Sequence, residues 1–239
     1  MRKFLSLLLA APLFMYGQDK TVVNVERVWP KADKVQQFEK ALATHVQKFH
    51  KGDYSWRVYT IETGPDVGAY HIVEGPSSWD FVDKRGEISK EHQNDWNTNI
   101  QPLVDKSTNS YFTYRADLSS TPVDSYTDKI SINHIFLKPG FYPEMVDIMK
   151  SNKKAWDESG QSVAVYEASA SGEPQIAVVT RYKFGLKERE VGFRPAMAIT
   201  FAKANGGESA YTKAMEVYKQ ATDHSWSEML FYKPELSTK

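Results

Sequence analysis

The chain has 239 residues, of which 41% are hydrophobic and 13% aromatic, so it is long enough for one or two domains with substantial cores. Its 30 basic side chains balance 30 acidic ones, and this neutrality argues against nucleic acid or an anionic membrane as a partner. The chain contains no cysteine, which excludes thiolate catalysis, cysteine-ligated zinc and iron–sulfur clusters.

The N-terminal residues have the pattern of a secretory signal. Arg2 and Lys3 precede an uncharged apolar run, Phe4–Tyr16, and polar residues begin at Gln18. The run is shorter than the roughly 20 residues that span a bilayer, so we expect no integral membrane segment. The pattern predicts a signal peptide over residues 1–18 and a secreted or periplasmic protein. A retained anchor is the alternative.

The next hundred residues predict the order strand, helix, strand, strand, helix, strand. Asp33 followed by Gln36 resembles a capping box at the start of the first helix, and Gly64-Pro65-Asp66 is typical of a hairpin turn. This order is that of a ferredoxin-like unit. The predicted segments are strand Val22–Trp29, a helix over Val35–Phe49, strands Ser55–Glu62 and Ala69–Val73, a helical region over Ser77–Leu103, and strand Tyr111–Arg115.

The second half of the chain repeats the first. Val25 falls on Ile132, Phe38 on Met145 and Tyr59 on Tyr166 at an offset of 107 (132 − 25), while Tyr114 falls on Tyr232 and Leu118 on Leu236 at an offset of 118 (232 − 114). We therefore predict a first ferredoxin-like repeat at 19–118, a linker at 119–128 and a second repeat at 129–239. An insertion of about eleven residues lies within 184–207, where function would be expected because loops that break a repeat often carry it.

Both faces of the first predicted strand of each repeat carry apolar residues. Val23 and Val25 lie on one face and Val28 on the other, and the second repeat has the same distribution. Helices cover only one face of a ferredoxin-like sheet, so the pattern predicts an α+β fold in which the two antiparallel sheets pack face to face.

The segments HIFLKPGFYPEMVDIMK and RVWPKADKVQQFEKAL resemble the first strand, turn and helix of the dimeric α+β barrel superfamily, which includes antibiotic-biosynthesis-monooxygenase-like and NIPSNAP-like domains. The resemblance implies a pseudo-dimeric barrel formed within one chain, which would be a monomer or a weak homodimer. The superfamily contains cofactor-independent oxygenases, haem-handling enzymes and lactone isomerases, so the resemblance specifies a fold and leaves the activity open.

Five residues are candidates for a ligand site between the sheets. Glu26 and Asn133 occupy equivalent positions on the face that we assign to the lumen, where a buried carboxylate would act as a base. His71 has a small or apolar counterpart in the second repeat, and Tyr59 and Tyr166 coincide under the repeat. Each candidate has an alternative. The carboxylate would be exposed to solvent, the histidine would lie at the rim, and the tyrosines would pack at the edge of the sheet.

The histidines predict no metal site. His45 and His50 are five residues apart on one helix, which rotates them away from each other, and His92 lies on an apolar stripe where a packed histidine is expected. The resemblance implies that haem-degrading members use a histidine on the second helix, a nearby tryptophan and an asparagine on the first strand. Neither repeat holds that full set, so we expect no cofactor.

No G-x-S-x-G, H-E-x-x-H, phosphate-binding loop or dinucleotide motif occurs in the sequence. The leading hypothesis is an exported soluble barrel that binds a small apolar or aromatic molecule between its sheets. A cofactor-independent monooxygenase or isomerase that uses Glu26, His71 and Asn133 is the first alternative, and a structural or interaction module at the cell surface is the second.

Overall fold

The computed structural model describes residues 20–239, so the predicted signal peptide lies outside the described residues. These residues form eight strands and six α-helices. In chain order the elements are β1 (Val22–Pro30), α1 (Val35–Phe49), β2 (Trp56–Ile61), β3 (Tyr70–Ser77), α2 (Trp79–Lys84), α3 (Lys90–Asp95), β4 (Val104–Tyr114), β5 (Lys129–Leu137), α4 (Tyr142–Ser159), β6 (Val163–Ser169), β7 (Gln175–Arg181), α5 (Met197–Asn205), α6 (Glu208–Ala221) and β8 (Thr222–Tyr232).

The strands close into one antiparallel barrel in the order β1-β3-β2-β8-β5-β7-β6-β4. The first repeat contributes β4-β1-β3-β2 and the second contributes the equivalent β8-β5-β7-β6. Helices cover only the outer face of each sheet, so each sheet buries its inner face against the other repeat. The predicted fold class, two ferredoxin-like repeats forming a pseudo-dimeric α+β barrel, is confirmed.

Two pairs of strands, which we call the seams, join the repeats. At the first seam β2 pairs with β8 and Tyr59 lies opposite Tyr232; at the second, β4 pairs with β6 and Tyr114 lies opposite Tyr166. The ring centroids are 5.4 Å apart in the first pair and 5.6 Å in the second. The tyrosines that coincide under the sequence repeat therefore stabilise the two seams in equivalent ways, by aromatic contact across paired strands.

Strand alternation separates three apolar cores. Residues such as Val23, Val25 and Ile132 point inward and form the core of the barrel. Val28 on β1 and Ile135 on β5 point outward, each into a core between one sheet and its helices. This two-sided burial explains why both faces of these strands are apolar.

After its last strand, each repeat sends a short arm across to the other. Leu236 is buried in the helix–sheet core of the first repeat, and Leu118 in that of the second. The Ser237 hydroxyl accepts a hydrogen bond from the Val58 amide at 2.9 Å, and the Ser119 hydroxyl accepts one from the Val165 amide at 2.8 Å. The exchange of arms thus holds the repeats together outside the barrel as well as at the seams.

Several local details differ from the sequence-based expectations. The capping box is wrong: Lys34 occupies the N-cap of α1, and no side chain there caps the helix. Strands β4 and β8 begin earlier than predicted, at Val104 and Thr222. The 184–207 segment forms a 3₁₀ turn and helix α5, which packs on α4 and buries Phe201. Between residues 20 and 239, no helix has the length and apolar content needed to cross a bilayer.

Candidate functional site

A cavity of about 230 Å³ lies inside the barrel, between the two sheets. Both repeats supply its walls, because the inward-pointing residues of β1 and β5 face each other across the lumen. Its apolar lining consists of Val23, Val25, Val73, Phe112, Ile130, Ile132, Ala177 and Val179. Five aromatic side chains complete the wall, namely Tyr59, Phe112, Tyr126, Tyr166 and Trp226, so a ligand meets a mixed aliphatic and aromatic surface.

A charged cluster borders this cavity. Arg27 forms ion pairs with Asp66 and with Glu228, which is only 2% exposed. His134, the repeat equivalent of Arg27, lies 3.1 Å from the same Glu228 carboxylate through Nε2 and 2.8 Å from the Gln175 side-chain oxygen through Nδ1. Because two carboxylates face Arg27, its positive charge is compensated within the protein.

His71 is the one lumen histidine with an unused ring atom among residues 20–239. It is 5% exposed, and its Nδ1 has no hydrogen-bond partner among those residues. Burial lowers the pKa of His71 well below its ordinary value, and the charges of Arg27 and His134 lower it further, so the imidazole is neutral. Arg27 lies opposite His71 in the β1–β3 ladder, which fixes their proximity.

The linker contributes to the lumen wall through Tyr126 and Thr127. Arg181 holds it there by donating hydrogen bonds to the carbonyls of Pro122, Val123 and Ser125 at 2.7–2.8 Å and to the Tyr166 hydroxyl at 2.9 Å. The Arg57 guanidinium lies 3.5 Å from the Tyr126 ring centroid. The linker is thus part of the cavity wall, a role that its Ser/Thr/Pro composition did not indicate.

A second cavity, of about 310 Å³, lies between the outer face of the first repeat's sheet and its helices. Its lining is polar and includes Glu26, Glu74, Arg85 and His92. Burial, with a smaller contribution from Glu74, raises the pKa of Glu26 from 4.5 to about 7. Glu74 itself accepts hydrogen bonds from Trp56 Nε1 at 2.9 Å and from the Arg85 guanidinium at 2.7 Å.

Three histidines converge beside this second cavity. One ring nitrogen each from His45, His50 and His92 lies within 4.8 Å of the other two. His45 and His50 are fully buried and His92 is half-buried. Burial lowers the pKa of all three imidazoles, that of His50 to about 2.

Comparison with known proteins supports the architecture. No family model matches the chain, and no curated protein matches it. An anthrone oxidase-like protein is 11% identical with a TM-score of 0.57, over 90% of this chain and 92% of that one. A monooxygenase-like protein from Fusobacterium nucleatum is 14% identical with a TM-score of 0.54, over 88% and 91%. A chlorite dismutase variant from Candidatus Nitrospira defluvii is 7% identical with a TM-score of 0.50, over 90% and 92%.

The chain has the dimeric α+β barrel fold. Identities this low establish the fold alone, so the chemistry of this α+β barrel must be argued from its own residues.

In this α+β barrel, three of the five candidate ligand residues reach the lumen. Tyr59, His71 and Tyr166 line the inner cavity. The lumen assignment of Glu26 and Asn133 is wrong: Glu26 lines the second cavity under the helices, and Asn133 alternates with the inward-pointing Ile132 and His134. The sequence showed which residues share a face, but both faces are apolar, so it did not show which face points inward.

The expected separation of His45 and His50 is also wrong. Helix α1 ends at Phe49, and His50 has an extended backbone that returns its ring to within 5.2 Å of the His45 ring. His92 then reaches the pair from α3. The sequence reasoning also missed Arg27 and His134, although their equivalence at the 107-residue offset was a usable signal, since equivalent inward residues on β1 and β5 meet across the barrel.

Proposed function

We propose that the protein is exported and binds one small apolar or aromatic molecule in the barrel lumen. The observation that carries the proposal is the 230 Å³ cavity, whose apolar walls come from both repeats. An apolar cavity of roughly 150 Å³ holds one benzene molecule, so this one accommodates a substituted ring or two fused rings.

His71 supports a ligand with one polar substituent. A buried polar atom without a partner costs about 1–3 kcal/mol. The His71 ring lines the cavity, so a ligand hydroxyl beside it would supply a hydrogen-bond partner. Arg27 is matched by Asp66 and Glu228, whereas Arg57 and Arg181, which also line the cavity, form no ion pair among residues 20–239. The lumen therefore suits a hydroxyarene in its neutral or its ionised form.

Calorimetric titration with 2-naphthol tests this proposal. We expect one site, and we expect His71→Phe to weaken binding at least tenfold, about 1.4 kcal/mol, because the phenyl ring fills part of the cavity and removes the polar partner. Glu26→Gln, which alters the second cavity, serves as the matched control and should bind as the unaltered protein does. Equal affinities for all three proteins, or no binding by the unaltered one, would exclude the lumen site.

Export is tested separately by expressing the full-length chain in its native cell type and sequencing the N-terminus of the protein recovered from the periplasm or medium. A mature N-terminus near Gln18 supports export. An intact Met1 on protein that stays inside the cell argues against it.

A cofactor-independent oxygenase is the second candidate, because His71 and Arg27 both line the cavity and Arg27 would stabilise the substrate anion that reacts with O₂. The neutral His71 ring would hydrogen-bond and position the substrate group that loses its proton. One structural neighbour is named anthrone oxidase-like, which makes anthrone a suitable probe. In that reaction the methylene carbon of anthrone loses two hydrogens and gains one oxygen atom of O₂ as a carbonyl, and the other oxygen atom leaves as water.

The oxygenase candidate predicts that the protein accelerates O₂ uptake with anthrone and that one anthraquinone forms per O₂. The His71→Gln variant should return the rate to that of uncatalysed oxidation, while Glu26→Gln should keep the rate. Uptake that is equal with and without protein would eliminate anthrone oxidation and leave ligand binding untouched.

A further inference from the structure

We propose that His45, His50 and His92 form a binding site for a late first-row divalent transition metal, with Zn²⁺ as the best fit. The site lies between α1, α3 and the outer face of the first sheet, away from the barrel lumen. It therefore stands independently of the ligand proposed for the lumen.

The distances suit a metal bound by three imidazoles. The Nε2 atoms of His50 and His92 are 3.3 Å apart. A tetrahedral zinc ion with bonds of about 2.0–2.1 Å places its ligand nitrogens about 3.3 Å from one another. All three ligand nitrogens lie within 4.8 Å of one another, so movements of at most about 1.5 Å bring them to tetrahedral spacing around a metal.

Hydrogen-bond partners indicate which ring nitrogen is free in two of the three histidines. His45 Nδ1 lies 2.8 Å from the Asp95 carboxylate, and His50 Nδ1 lies 3.0 Å from the Tyr54 carbonyl. His92 Nδ1 lies 3.6 Å from the Glu87 carboxylate, too far for a hydrogen bond, and has no hydrogen-bond partner among residues 20–239. The Asp95 and Tyr54 oxygens can only accept, so they favour a proton on Nδ1 of His45 and His50 and leave the lone pair on Nε2 of both.

Convergent lone pairs repel unless a cation lies between them. The Nε2 atoms of His50 and His92 face each other, and His45 Nε2 is buried with no hydrogen-bond partner among residues 20–239. A metal ion would satisfy all three atoms at once. A proton shared between His50 Nε2 and His92 Nε2 is the alternative, but it leaves His45 Nε2 without a partner.

The surroundings resemble the outer shell of a protein metal site. Ligating histidines commonly donate their second nitrogen to a carboxylate or a backbone carbonyl, which fixes the ring orientation. Asp95 fits this role, since its other oxygen accepts a hydrogen bond from Asn99 at 2.9 Å. His50 is further held by stacking on Trp56, with ring centroids 3.5 Å apart.

The donor set also selects the class of metal. Three neutral imidazoles suit zinc, copper, nickel and iron, whereas calcium and magnesium require oxygen ligands. His92 lines the second cavity, which provides a route for the ion and room for an exogenous fourth ligand. Three protein ligands with one open position is the arrangement found in catalytic rather than structural zinc sites.

The test is metal binding by the purified full-length chain after chelator treatment, titrated with Zn²⁺ by calorimetry and with Co²⁺ by visible absorption. We expect one equivalent of Zn²⁺ and the intense visible bands of four-coordinate Co²⁺. His92→Gln removes the most exposed ligand and should weaken Zn²⁺ binding at least 100-fold. His224→Gln, at an exposed histidine far along the chain, is the matched control and should bind as the unaltered chain does.

Asp95→Asn tests whether the three histidines bind a metal or only pack together. It keeps the size of the side chain and removes no ligand, and we expect it to weaken Zn²⁺ binding 10- to 100-fold. Circular dichroism establishes that each variant is folded. Failure of the unaltered chain to bind one equivalent, or equal Zn²⁺ affinity in folded His92→Gln and the unaltered chain, would overturn the proposal.

Discussion

Glu26 should make the stability of this protein depend on pH in a direction opposite to that of most carboxylates. Its side chain lies in the second cavity, where burial and the Glu74 carboxylate raise its pKa from 4.5 to about 7. The folded state therefore holds a proton on Glu26 at pH values where the unfolded chain has released it. The stability associated with this group is fully present below pH 4.5 and is lost as the pH rises to about 7.

The size of the effect follows from the two pKa values. They differ by about 2.5 pH units, and each unit corresponds to 1.36 kcal/mol, so ionising Glu26 in the folded state costs about 3 kcal/mol. Glu26→Gln cannot ionise and should escape this cost. We expect the substitution to increase the free energy of unfolding at pH 8 by about 3 kcal/mol more than at pH 4.5.

Urea unfolding of the metal-free protein, followed by circular dichroism at several pH values, measures this difference. Titrating groups distant from Glu26 contribute equally to both proteins, so the difference between variant and parent reports Glu26 and its interaction with Glu74. Glu216→Gln, on the exposed face of α6, is the control for the loss of a carboxylate. If Glu26→Gln and Glu216→Gln change stability identically at every pH, the reasoning about the buried carboxyl is refuted.

Two further predictions concern the contacts between the repeats. Leu236→Ala and Leu118→Ala should each lower the free energy of unfolding, measured in urea, by about 2–5 kcal/mol, because each leucine is fully buried in the core of the other repeat. Val191→Ala, at an exposed position, is the control. A loss of stability no larger than that of the control would contradict the exchanged-arm arrangement. Glu228→Gln should lower the free energy of unfolding by about 3–5 kcal/mol, because it leaves the buried Arg27 with less compensating negative charge. An unchanged free energy of unfolding would mean that Asp66 alone compensates the charge of Arg27.

The sequence predicted the architecture well because the same pattern of strands and helices occurs in both halves, so each half supports the assignment of the other. The 107-residue offset aligned the first strand and helix of each half, and the order of elements matched a ferredoxin-like unit. Local ends were less predictable: Asp33 does not cap α1, and β8 begins at Thr222 rather than at Glu228. The ends differ because pairing with β5, which continues to Thr222, stabilises residues that have no strand pattern of their own.

The candidate sites were less accessible to sequence reasoning. Tyr59, His71 and Tyr166 were placed in the lumen correctly, since they alternate with residues that pack under the helices. Glu26 and Asn133 were not, because on strands with two apolar faces the alternation fixes which residues share a face and not which face points inward. The histidine cluster was missed for a different reason: helical spacing was extended one residue past the end of α1.

The amino-acid sequence alone determined that two copies of one α+β unit are joined in a single chain, because hydrophobic periodicity and turn residues act over short distances that the sequence records directly. The tertiary structure decided which groups meet. Arg27 contacts Glu228 across 201 positions, and His45 meets His92 from a separate helix. These contacts form only when the barrel closes and the helices pack on it, because the partners are distant in the chain. The chemistry of each group depends on those partners, so the sequence alone does not show it.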